Sequence, residues 1–280
     1  MSLWETFMST VTSRDGTSIA YDRLGDGPPL ILVDGALCHR GMGLMPALAK
    51  QLAGHFTVVV YDRRGRGESG NTPPWSRDRE IDDIAALIGA AGGSASLAGV
   101  SSGAVLALDA VARGLPVPKV AVYEPPLIVD ASRTPVPDDF IPGLERLAAE
   151  GNRNEIVKRF MKIVGAPALV VAMMRFFPNW PKLTAVAHTV PYDMTLLQGL
   201  QSGRPLPKHR WAAVRSPCLV LDGGKSPAWM RNGNKALADI LPRATYRTLP
   251  GQTHMVKVEV LAPALIDFLA QLEPARLEAV

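Results

Sequence analysis

The spacing of apolar and polar positions changes period several times along the chain. Residues 30–33 (LILV) and 56–61 (FTVVVY) are short apolar runs rich in branched side chains, and they read as strands buried on both faces. The first follows the turn cluster at 25–29 (GDGPP) and ends at Asp34-Gly35. Residues 95–100 form a weaker strand of small apolar side chains, and 117–123 form another, stopped by Pro125-Pro126. Helical spacing fills the intervals. It covers 46–52 before Gly54, 78–88 with Ile81, Ile84, Leu87 and Ile88 on one face, and 102–113, a run of small residues closed by Gly114. The strand pattern returns at 217–221 and 245–249, with helices over 230–241 and about 256–272.

Short buried strands alternating with helices predict an α/β fold, with a mostly parallel central sheet flanked by helices and joined by right-handed crossovers. Between 127 and 209 no strand pattern is visible. Helical segments are expected there near 141–150, 154–164, 168–177 and 192–201. The predicted organisation is a core domain from 1–126 and 210–280, interrupted by a helical cap at 127–209. The cap would lie over the carboxyl edge of the sheet, where ligands bind in open α/β folds.

Composition narrows the class. Of 280 residues, 47% are apolar and 20% charged, which excludes a disordered chain, a collagen and a coiled coil. Lysine and arginine number 30 against 26 acidic residues, a net charge of +4 spread along the chain. So mild an excess argues for neither nucleic acid nor an anionic membrane as a partner. Cys38 and Cys218 are too few for a disulfide framework or a multi-cysteine metal site. Residues 1–14 contain no apolar stretch flanked by positive charge, and the longest apolar run, 166–174, is too short to span a bilayer. The expectation is a soluble cytoplasmic protein, monomeric or homodimeric, acting on a small molecule.

The chemistry centres on Gly99-Val100-Ser101-Ser102-Gly103, a G-x-S-x-G stretch between a predicted strand and a predicted helix. That context is a sharp turn that lifts a serine hydroxyl above the sheet, with glycines where a Cβ would clash. The alternative is a glycine-rich turn with incidental serines. A serine nucleophile needs a base. Of the five histidines, His254 alone follows a late strand and precedes the last helix, at the sheet edge where Ser101 sits. His55 precedes its strand and belongs to the opposite edge; His188 and His209 lie in the insertion and its exit; His39 could line the cleft.

Asp34-Gly35-Ala36, the run Tyr61-Asp62-Arg63-Arg64-Gly65-Arg66-Gly67-Glu68-Ser69-Gly70, Gly99 to Gly103 and Gly251-Gln252-Thr253-His254 occur in an order that resembles the α/β-hydrolases, in the esterase-like branch that carries a helical cap. The resemblance implies a cofactor-free and metal-free serine hydrolase. Its oxyanion hole would be made by the backbone N–H groups of Ala36 and Ser102. Where the family often has histidine before that glycine, this chain has Asp34, an extra carboxylate beside the site. The segment Gly65 to Gly70 also matches G-x-G-x-x-G. However, Pro73-Pro74 follows where a dinucleotide site needs a helix, so the glycines and Arg63, Arg64 and Arg66 read as structural.

The third triad member departs from the common pattern. Most relatives place an aspartate in the turn after the strand corresponding to 217–221, and here Ser226 holds that place. Glu124, which ends the strand at 117–123, is the leading candidate, as in the similar haloalkane dehalogenases, which carry their acid after that strand. Asp222 and the cap residue Asp193 are lesser rivals, since a cap carboxylate more often binds substrate or pins the cap. Met161, Met173, Met174, Phe176, Phe177, Trp180 and Met194 are either cap packing or the lining of an apolar substrate pocket. The expected activity is acyl transfer to water from an ester or similar bond of a small to medium, largely apolar substrate, with C–C bond hydrolysis as a related option. The alternatives are a binding or receptor protein, or a lyase or cyclase, reusing the same pocket.

Overall fold

In a computed structural model, which describes residues 9–271, the chain forms eight strands and ten α-helices. The strands are β1 (Ser9–Thr12), β2 (Ser18–Leu24), β3 (Pro29–Val33), β4 (Thr57–Tyr61), β5 (Ser96–Val100), β6 (Val120–Tyr123), β7 (Cys218–Gly223) and β8 (Ala244–Leu249). They make one sheet in the order β1-β2-β4-β3-β5-β6-β7-β8. β1 pairs antiparallel with β2 and β2 with β4, and every other pair is parallel. The antiparallel pair was missed by the pattern. β1 alternates half-buried and exposed positions at the sheet's edge, and β2 buries two of its seven residues, so neither shows an apolar run.

The central strands β3 to β7 are buried on both faces. Alternation along β3 sends Ile31 and Val33 to one side and Leu30 and Leu32 to the other. The first side packs against α2 (Arg77–Ala90), α3 (Ser102–Ala112) and α9 (Ala228–Ile240), and the second against α1 (Met45–Leu52) and α10 (Val258–Leu269). All five residues of β4 are buried, which explains its unbroken apolar pattern. The predicted end of the last helix at Leu272, and the first eight residues of the 1–14 segment, lie outside the described residues.

Between β6 and β7 the chain is helical: α4 (Phe140–Ala149), α5 (Arg153–Ile163), α6 (Ala168–Met173), α7 (Trp180–Val186) and α8 (Val190–Leu196). α7 was not anticipated. It and α8 each begin with a proline in the first turn, where the missing N–H costs nothing. Val190, Met194 and Leu196 of α8 and Leu144 of α4 join the apolar cluster that contains α3, so the insertion shares a core with the sheet domain. The methionine and aromatic set does not form one stripe. Met194 is buried and Met161 and Trp180 pack on the core, while Met173, Phe176 and Phe177 face outward. No helix among the described residues is long and apolar enough to cross a membrane.

Candidate active site

Ser101 stands between β5 and α3 with φ 56° and ψ −127°, a backbone conformation that non-glycine residues rarely adopt. The turn is held on both flanks. The Ser101 N–H donates to the Tyr123 carbonyl (3.0 Å), and the Ala104 N–H to the Ser101 carbonyl (3.1 Å). Gly103 must lack a side chain, because a Cβ there would lie 2.3 Å from the Val33 carbonyl oxygen and 2.5 Å from that of Asp34. The first turn of α3 therefore presses directly on the end of β3. A Cβ at Gly35 would lie 3.0 Å from the Ser101 Cβ and 3.6 Å from its Oγ, so the loop after β3 passes over the serine.

Parallel pairing puts Val100 opposite Tyr123, so Ser101 and Glu124 leave neighbouring strands at the same level. Glu124 is fully buried and, with φ 44°, turns its side chain out of the strand's alternation. Its Oε2 lies 3.0 Å from His254 Nδ1. Its Oε1 accepts the Gly223 N–H at 2.7 Å, which anchors the carboxylate to the end of β7. The loop carrying His254 is fixed by the Tyr123 hydroxyl donating to the Thr253 carbonyl (2.6 Å) and by the Lys225 N–H donating to the Gln252 carbonyl (2.8 Å). The imidazole side chain remains 37% exposed, so solvent reaches it while its acidic partner is dry.

The other acidic candidates are engaged elsewhere. Asp222 accepts the Tyr246 hydroxyl. Asp193 is buried on α8 between Arg63 (2.6 Å) and Arg66 (2.5 Å), and burial, which alone would raise its pKa, is outweighed by those two charges. Ser226 is buried, and its hydroxyl has no hydrogen-bond partner among the described residues. His39 turns back on its own loop, accepting the Gly41 N–H at Nδ1 (3.0 Å), and His55 and His209 are exposed.

Asp34 is buried beside the serine. Its Oδ1 accepts the Gly35 N–H (2.8 Å). Burial pushes its pKa from 3.8 up to about 6, against the opposing Gly35 N–H and the Arg66 and Arg63 charges. Burial also pushes the Cys218 thiol up to about 12 and raises the Cys38 thiol further still.

The glycine-rich loop after β4 folds on itself, with the Gly65 N–H donating to the Gly70 carbonyl (2.9 Å), and helix α2 starts only at Arg77. Arg63 and Arg64 are buried in ion pairs with Glu80 (2.7 Å) and Asp83 (2.6 Å), as Arg66 is with Asp193. These arginines are engaged within the fold. Among the described residues, no group of three or more histidine, cysteine, aspartate or glutamate side chains is arranged to hold a metal ion.

Residues 30–261 match the family model described as the alpha/beta hydrolase family. The chain belongs to that family. An alpha/beta hydrolase from Sphaerobacter thermophilus is 50% identical, with a TM-score of 0.85 over 93% of this chain and all of that one. A thermophilic esterase from Thermogutta terrifontis (22% identity, TM-score 0.65, 94% and 98% of the two chains) shares the fold. So does 2-hydroxy-6-oxo-6-phenylhexa-2,4-dienoate hydrolase from Rhodococcus (17%, 0.69, 95% and 99%). This alpha/beta hydrolase has the eight-stranded, mostly parallel sheet and the inserted helical region of these structures.

Several features of the candidate site carry no signal in the sequence. The Gly223 N–H holds the second oxygen of Glu124, and the Tyr123 hydroxyl steadies the histidine loop. Both contacts join residues about a hundred positions or more apart, with no local signal in the chain. The full burial of the three loop arginines was equally invisible, although three cations so close together in a glycine turn require carboxylates from somewhere.

Proposed function

We propose that this alpha/beta hydrolase is a cofactor-free serine esterase acting on small to medium, largely apolar esters through an acyl-enzyme. The observation that carries this reading is the 3.0 Å contact between Glu124 Oε2 and His254 Nδ1, beside a serine held in the strained strand-to-helix turn. In the proposed reaction, His254 Nε2 takes the proton from Ser101 Oγ as the oxygen attacks the ester carbonyl. The N–H groups of Ala36 and Ser102 bind the oxyanion, aided by the N-terminus of α3. Collapse of the tetrahedral intermediate expels the alcohol, which receives its proton from His254. A water, deprotonated by His254, then attacks the acyl-enzyme, and the second collapse regenerates the serine. Glu124 holds the Nδ1–H tautomer and offsets the imidazolium charge.

A serine-directed fluorophosphonate probe tests the reading. Labelling of wild type, absent in Ser101→Ala, together with turnover of short p-nitrophenyl esters, is expected. A folded wild type that neither labels nor hydrolyses esters would contradict it and favour a binding protein built on the same scaffold.

A further inference from the structure

The cap residue Asp193 makes no hydrogen bond to Ser101 or His254 among the described residues, yet its two oxygens are tied to both sides of the proposed oxyanion hole. Oδ1 accepts the Ser102 hydroxyl at 2.7 Å and Arg63 Nη1 at 2.6 Å, and Oδ2 accepts Arg66 Nη2 at 2.5 Å. Ser102 is the first residue of α3, so its side-chain bond fixes the residue whose backbone N–H would be one donor. On the other side, Arg66 Nη1 donates to the Gly35 carbonyl (2.5 Å) and the Cys38 carbonyl (3.2 Å), and Arg63 Nη1 to the Asp34 carbonyl (3.3 Å).

The Gly35 carbonyl and the Ala36 N–H belong to one peptide group. In a planar trans peptide they point in opposite directions. A guanidinium that grips the carbonyl therefore sets the direction of the N–H, and turning that peptide over would break the grip. Arg66 is itself held in place by charge. It is buried, and Asp193 is the one carboxylate at ion-pair distance from it among the described residues. Arg63, by contrast, keeps Glu80 as a second partner. Neutralising Asp193 would leave the buried Arg66 without its ion-paired carboxylate, so that it must move or draw in water.

We propose that Asp193 is a positioning residue for the oxyanion hole, aligning Ser102 through its hydroxyl and the Gly35–Ala36 peptide through Arg66. Because Asp193 sits on α8, the hole is complete only when the cap is docked against α3. The inference deepens the serine hydrolase reading and rests on it for its kinetic part alone. The orientation of the 34–38 segment is a property of the fold and is measured separately.

The experiment uses the full-length chain and the variants Asp193→Asn and Ser102→Ala, both of which keep every backbone donor. Two quantities are read: steady-state ester hydrolysis, and amide hydrogen exchange of residues 34–38 and the first turn of α3. The expected result is a fall in kcat of at least about tenfold with KM changed little, since an interaction made only in the transition state is lost. Exchange in 34–38 should rise in Asp193→Asn, and exchange at the start of α3 in both variants. The double variant should fall short of the product of the two single effects, because both act through one contact. If Asp193→Asn does not fold, Ser102→Ala carries the test through the start of α3 and kcat. Folded variants with wild-type kcat and wild-type exchange would overturn the proposal, as would a loss of thermal stability with kcat unchanged. Raised exchange in a protein whose wild type shows no esterase activity would uphold the positioning role and count against the hydrolase reading instead.

Discussion

Glu124 meets His254 with one carboxylate oxygen at 3.0 Å and the Gly223 N–H with the other at 2.7 Å, so the acid is fixed by β7 although it leaves β6. In the proposed mechanism Glu124 takes the place of an aspartate in the turn after β7, where Ser226 stands. The carboxylate reaches His254 from the strand next to the one that ends at Ser101, and β7 supplies a backbone anchor.

Glu124→Gln should retain the fold and lower kcat/KM by at least about 100-fold, because the amide cannot both accept from the Nδ1–H and offset an imidazolium charge. Ester hydrolysis by variant and wild type at equal folded concentration checks this. An unchanged rate would remove Glu124 from the site.

Asp34 makes a signed prediction about stability and pH. Its carboxyl holds its proton more tightly in the fold, at about 6, than the ordinary 3.8. Well below pH 4 both states are protonated and no penalty arises. As pH rises from about 4 to about 6 the unfolded chain releases its proton first, so stability falls, by about 3 kcal/mol for a shift of this size. Asp34→Asn should therefore be more stable relative to wild type at pH 8 than at pH 4, read from urea unfolding midpoints. The same difference at both values would contradict the assignment.

The thiols should be inert in the native protein. Cys218 is buried with its pKa pushed up to about 12, and Cys38 is shifted in the same direction. Iodoacetamide at pH 8 is expected to modify neither at an appreciable rate until the chain is unfolded in denaturant, when both react. Rapid modification of folded protein, followed by peptide mass, would show that the burial argument is wrong.

The fold and the strand-to-helix turn at Ser101 were legible because their signals are local. The apolar runs of β3 and β4, the helical spacing of α2 and the glycines around Ser101 each declare themselves within about a dozen residues. Edge strand β1 and its neighbour β2 were not, because strands with few buried residues carry mixed polarity. The candidate site was legible by parts. Ser101, His254 and Glu124 each stand after a predicted strand, and the structure brings Glu124 and His254 together. Ser101 emerges level with Glu124 on the next strand. The support behind them was hidden. Asp193 lies 127 to 130 positions from its arginines and 91 from Ser102, and no periodicity in the chain records that a cap carboxylate and a core loop will be buried as one ion cluster.

The central claim, a covalent acyl intermediate on Ser101, is tested most directly by rapid acid quench of the enzyme during turnover of a p-nitrophenyl ester, followed by intact and peptide mass analysis. The account predicts a burst of p-nitrophenol approaching one equivalent when deacylation is slower than acylation, and one acyl group on the peptide containing Ser101. The adduct should be absent in Ser101→Ala and accumulate more slowly in Glu124→Gln. Ester turnover that leaves no acyl group on the protein, or that places it on another residue, would contradict the account.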